Sequence, residues 1–194
     1  SAPAAEPSQA QQKVKPLVGS TRFKVIGDDA ITASSGQRWI PHSRLDAEKA
    51  WCPEQHDTKQ WIQWSFKQPM QVLKVQTKGQ LSKGQWFVKS YSLSYSMNGT
   101  SWTDHPEQLQ GNVDVNTLRE NVLSPPFGAQ FVRLHPLAWS GAIVLRAELL
   151  GCPLGIESLP GSVEAARHSA KDKVTLVNLV KGLDENELLK RESP

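Results

Sequence analysis

The sequence predicts an all-β domain of the sandwich or jelly-roll class. Short runs of alternating apolar and polar residues recur through the middle of the chain, which is the period of a strand with one buried face. Gly, Pro, Asn and Ser separate these runs, and no helical periodicity intervenes between them. All seven tryptophans of the 194 residues lie between Trp39 and Trp139, which places the packed core there.

Residues 1–15 are mostly Ala, Pro, Ser, Gln and Glu with little to bury, and read as a flexible leader. In Gln60–Phe66, Ile62, Trp64 and Phe66 alternate with Trp61, Gln63 and Ser65. Val72–Thr77 reads as a further strand. In Ser90–Ser96, Tyr91, Leu93 and Tyr95 share one face and serines the other. Asn98-Gly99 follows at once, with Trp102 beyond, so a hairpin turns there. Gln130–His135 is a strand bounded by Pro125-Pro126 and Pro136, which argue against helix. In Ile143–Leu150, Ile143, Leu145, Ala147 and Leu149 share a face. Residues 153–194 change character. Leu176, Leu179, Val180 and Leu183 have helical spacing, but Gly182 interrupts it, so this extension is either a short helix or disordered.

Composition excludes several function classes. The formal net charge is +3 with no polybasic run, which leaves no footprint for nucleic acid. No apolar stretch approaches the roughly 18–20 residues of a membrane span. No signal peptide is visible, so a processed or excised fragment is expected from the Ser1-Ala2-Pro3-Ala4 start. The histidines lack HExxH spacing, and no GxSxG, phosphate-binding loop or zinc quartet occurs. The chain is therefore expected to be neither an enzyme nor a cofactor protein, and no metal set is assigned.

An ordered series of blocks then carries a family resemblance: Ala30–Ser35 (AITASS), Ser43–Asp46, Ala50–Pro53 (AWCP), Trp61-Ile62-Gln63, Val88–Ser96 with Asn98-Gly99 and Trp102, Phe131–Pro136 with Trp139, and Leu145–Cys152 (LRAELLGC). Over residues 16–152 the chain resembles the discoidin family, the type C domains of coagulation factors and their relatives. The resemblance implies an eight-stranded antiparallel jelly roll with binding loops projecting from one end.

The departures are specific. The family usually opens with a Cys that bridges to the one ending the domain. Here Lys15-Pro16-Leu17 stands in that place, so Cys152 lacks its usual partner. Cys52 resembles the second cysteine of discoidin domain receptors, whose partner would fall at Val144. Two unpaired thiols, or an unorthodox Cys52–Cys152 bridge, are the two readings. The family usually has Asp where Ser65 stands. Arg133 and Arg146 are therefore expected to find other carboxylates or the chain itself. Asp46 and Glu148 correspond roughly to positions where carbohydrate-binding relatives hold a structural calcium, though two carboxylates are too few for a site that takes six to eight oxygens. Cys152–Ser158 looks like the opening of a second such domain, but the continuation does not match.

On the resemblance, three loops supply the candidate ligand residues. The first, Gly36–His42, offers Trp39 and Ile40 either as an exposed apolar spike or as core and rim, with Arg38 and His42 beside them. The second, Gln80–Gln85, offers Gln80, Leu81 and Lys83, and Trp86 follows as a stacking platform or a strand residue. The third, Gly111–Thr117, offers Asn112 and Asp114, as sugar-recognition groups or as turn formers. Asn98-Gly99-Thr100 is a candidate glycosylation sequon. The function expected is a secreted or cell-surface recognition module for a glycan or an extracellular protein. The alternatives are a peripheral module for anionic phospholipid surfaces, and a structural part of a larger assembly with the tail as an oligomer element.

Overall fold

The computed structural model describes residues 13–81 and 84–155, with the Leu81 side chain left out. Most of the expected leader, Lys83 and the candidate tail helix lie outside the described residues. The strands are β1 (Lys15–Pro16), β2 (Ile31–Ala33), β3 (Ile62–Lys78), β4 (Gln80–Leu81), β5 (Gln85–Ser96), β6 (Thr103–Asp104), β7 (Leu109–Gln110), β8 (Arg119–Ser140) and β9 (Arg146–Pro153). Every pairing is antiparallel, in the order β1-β9-β3-β8-β5-β4, with β2 on β3 and both β6 and β7 on β5. This is the antiparallel jelly roll expected from the sequence. The first compact unit of the chain ends at Pro153.

Two expected strands are one. Most of Gln60–Phe66, from Ile62 on, and all of Val72–Thr77 fall in the single strand β3, which pairs with β8. Its register slips between Ser65 and Met70 and again between Val72 and Lys74, and such bulges let one strand bend around the core. Residues 143–145 precede β9 rather than belonging to it. Val144 and Glu148 are buried as well as Ile143 and Leu145, because this segment is covered on both sides. Alternation therefore located it but misjudged its second face. The core gathers Trp51, Trp64, Tyr91, Leu93, Leu134 and Leu149, all fully buried. Both cysteines are free thiols, so the bridge between them is not made.

The N-terminal segment is held by charged side chains. The buried Glu148 carboxylate accepts the backbone N–H groups of Leu17, Val18, Gly19 and Leu149 at 3.2, 2.7, 2.8 and 2.9 Å. Arg44, fully buried, donates to the carbonyls of Val18, Gly19 and Ile26 and to the Asp28 carboxylate. Asp46 accepts both the N–H and the hydroxyl of Thr21. Burial raises the Asp46 carboxyl, but these bonds outweigh it and hold it below the usual aspartate value. Asp46 and Glu148, two carboxylates and too few for a calcium site, are spent on backbone and hydroxyl donors. Among the described residues, no group of three or more His, Cys, Asp or Glu is placed to hold a metal ion.

Candidate ligand-binding site

The first loop forms a 3-10 helix, Gln37–His42, preceded by Gly36 at φ 73°. A side chain at Gly36 would stand 2.2 Å from the Cys52 carbonyl oxygen, so only glycine fits this entry. The helix turns Ile40 into the core, where it is 7% exposed. Ile40 is therefore not a spike, because its apolar side chain closes the barrel beneath the loop. Trp39 is half-buried and packs one side on the core. Cations approach its ring: Arg38 Cζ lies 5.2 Å and Lys49 Nζ 5.6 Å from the centroid. His42 sits against Trp39, ring to ring at 5.8 Å.

The second loop is a tight hairpin, with Gln80 opposite Trp86 and Leu81 opposite Gln85. Trp86 packs closely against Gly141, whose φ is 65°, and a Cβ there would stand 2.1 Å from the indole Cδ1. Gly141→Ala is therefore expected to displace Trp86 and to destabilise the domain by about 1–3 kcal/mol. Near-ultraviolet dichroism and a thermal melt read the two effects.

These two loops meet in a pocket of about 470 Å³, lined by Arg38, Trp39, Gln80 and Trp86 together with Lys49, Cys52, Glu54 and Val144. The structure thus brings four of the predicted residues together. Lys49 and Glu54 were missed because they lie outside any loop that the sequence marked. The cavity is lined by two indoles, two cations, a carboxylate and an amide. Burial pushes the Cys52 thiol up, against the pull of Arg38, so it faces the pocket as a neutral group.

The third loop does not join them. Asn112 is buried. Its amide donates to the carbonyls of Thr77 and Thr117, and its oxygen accepts the Thr77 hydroxyl. Asn112 is thus a strut rather than a ligand group, since its polar atoms are already engaged. Asp114 accepts the N–H groups of Asn116 and Thr117, the bonding of a turn former. Those bonds hold its carboxyl below the usual aspartate value. The residue that this loop does present is Val113, 84% exposed. Lone valines carry no sequence signal, so it was not singled out. Arg146 ties the loop bases together through the carbonyls of Gly79, Leu45, Ala47 and Val115. The Asn98 turn is exposed, and the Asn98 oxygen accepts the N–H groups of Thr100 and Ser101.

Comparison with known proteins places these features in a wider set. The F5/8 type C domain model matches residues 30–149. The EGF-like repeat and discoidin I-like domain-containing protein 3 of Mus musculus is 40% identical over 148 residues, 70% of this chain and 30% of that protein. Lactadherin of Rattus norvegicus is 37% identical over 145 residues, 66% of this chain and 34% of that one. The chain thus spans about a third of the length of these relatives. Among solved structures, discoidin II from Dictyostelium discoideum superposes with a TM-score of 0.59 at 21% identity, covering 66% of this chain and 56% of that one. The family 32 CBM from C. perfringens NanJ, in complex with galactose, gives 0.51 at 13% identity, covering 72% and 98%. At these identities the structural likeness speaks for the fold.

Proposed function

This chain belongs to the F5/8 type C domain family, and on that premise we propose that it is a non-catalytic recognition module of the cell exterior that binds a glycan between its first two loops. The observation that carries this reading is the pocket where Trp39 and Trp86 meet Arg38, Lys49, Glu54 and Gln80. Sugar rings present C–H faces that pack on indoles and hydroxyls that need fixed polar partners, and this lining supplies both. Two cations against one carboxylate favour sugars that carry a negative charge.

A glycan array followed by calorimetric titration of the best sugar tests it. Trp86→Ala is expected to weaken binding at least tenfold, a loss of about 1.4 kcal/mol or more. Absence of any sugar hit, or an unchanged affinity in both Trp39→Ala and Trp86→Ala, overturns the reading.

One observation favours a second reading, an anionic phospholipid surface. Val113 stands 84% exposed at the third loop. A valine that dips into a bilayer while lysines meet anionic lipid is the arrangement of a peripheral module, although burying one such side chain is worth only about 1.5–3 kcal/mol. Co-sedimentation with phosphatidylserine vesicles that is reduced by Val113→Ser and by Leu81→Ala supports it. Indifference to phosphatidylserine content removes it.

A further inference from the structure

Away from the pocket, the sheet face where β3, β8 and β5 run together carries a cation that has no counter-ion among the described residues. Arg133 on β8 lies opposite Gln63 on β3 and Ser94 on β5. Its guanidinium is clamped between two indoles, with Cζ 4.3 Å from the Trp61 ring centroid and 3.9 Å from that of Trp102. Nε donates to Gln63 Oε1 at 2.8 Å. The clamp is itself fixed, since the Trp102 indole N–H donates to the Gly99 carbonyl. Two indoles and the Nε bond thus hold the guanidinium, and its terminal nitrogens make no hydrogen bond among the described residues.

Among the described residues no carboxylate pairs with this terminal edge. The terminal nitrogens are not among the buried polar atoms lacking a partner, so the edge is reachable from solvent. Burial lowers the Arg133 pKa from the usual arginine value with no anion to offset it. Ser65 stands one pair along the same face, opposite Phe131. A planar, held, partly dehydrated guanidinium edge is the geometry that takes a carboxylate through two parallel hydrogen bonds. Trp and Arg are also the residue types that anchor protein interfaces.

We propose that the Trp61–Arg133–Trp102 clamp is a second recognition site, which docks an acidic side chain of a partner protein end-on to Arg133. Charge complementarity selects the occupant, because the open edge offers only donors. The site shares no lining residue with the Trp39–Trp86 pocket and stands or falls independently of the glycan reading.

The full chain, labelled with nitrogen-15, is titrated with a Glu-Gly repeat peptide, a Lys-Gly repeat peptide and glucuronate, while the indole N–H resonances are followed. The acidic peptide is expected to move the Trp61 and Trp102 signals and to leave Trp39 and Trp86 in place. Arg133→Lys keeps the charge but loses the fork, and is expected to weaken binding about tenfold. Ser65→Asp sets a competing carboxylate one pair along the same face and is expected to abolish the movement without lowering the melting temperature. Silence of both clamp signals, equal movement by the basic peptide, or binding unchanged in both variants overturns the proposal. Glucuronate matching the peptide at equal carboxylate concentration overturns the protein partner in favour of a sugar acid. Should Ser65→Asp melt early, the Arg133→Lys result decides alone.

Discussion

Glu148→Ala is expected to lower domain stability by about 4 kcal/mol, because it strips the acceptor from four backbone N–H groups at once. Those groups belong to Leu17, Val18, Gly19 and Leu149 in a buried setting. A buried polar group left without a partner costs about 1–3 kcal/mol, and water entering the vacated space recovers part of the sum. For a domain whose whole stability is of order 5–15 kcal/mol, this is a large fraction. Calorimetry reads it as a melting temperature lower by roughly 8–16 °C. The effect also has a pH signature. Burial pushes the Glu148 carboxyl above the usual glutamate value, against the opposing pull of the backbone N–H groups. A folded-state pKa raised in this way adds stability that is fully present below the unfolded value of about 4.3 and is lost as pH rises through the folded one. The gap between wild type and Glu148→Ala is therefore expected to be wider in mild acid than at neutral pH. A loss below about 1 kcal/mol, or a gap that widens with rising pH, would show that this carboxylate does not hold the segment.

The fold was legible in the sequence because one-sided burial writes itself as alternation. Tyr91, Leu93 and Tyr95 against serines located β5, but Ser90, Ser94 and Ser96 are buried along with Tyr91 and Leu93, so this strand is covered on both faces and not on one. The bulges of β3 were not legible, since a register slip changes pairing and leaves composition untouched. The candidate site was legible in part. Trp39 and Trp86 could be assigned to the core edge or to a ligand, and both are half-buried pocket walls, a state between those alternatives. Ile40 had two readings, spike or core, and the 3-10 turn decides for the core because it sends Trp39 and Ile40 in different directions. Lys49 and Glu54 escaped notice because the bridge between Trp51 and Leu145 brings that segment to the pocket, and a pairing of residues so far apart in the chain leaves no local mark. The surroundings of Arg133 were not legible, because Trp61 and Trp102 reach its guanidinium from segments far from it in the chain.

Arg44→Met is expected to cost about 3–5 kcal/mol, the range for removing one partner from a buried charged network. Arg44 is 0% exposed, and its guanidinium serves carbonyls at Val18, Gly19 and Ile26 as well as Asp28. Methionine fills much of the volume, so the loss reports hydrogen bonds rather than a cavity. The useful measurement is the double variant with Glu148→Ala. Glu148 takes the N–H groups of residues 17–19 while Arg44 takes carbonyls of the same stretch, so the two side chains grip one peptide segment through opposite polarities. Once either grip is gone, the segment detaches and the other has less to hold. The double variant is therefore expected to lose less than the sum of the singles, with a coupling of about 1–3 kcal/mol. Additivity within about 0.5 kcal/mol in chemical denaturation would separate the two residues into independent anchors. The coupling matters to recognition, because Arg44 lies two residues past the loop that carries Trp39. With the segment from Leu17 to Asp28 released, the first loop loses its backing, and sugar affinity at the Trp39–Trp86 pocket is expected to fall along with stability.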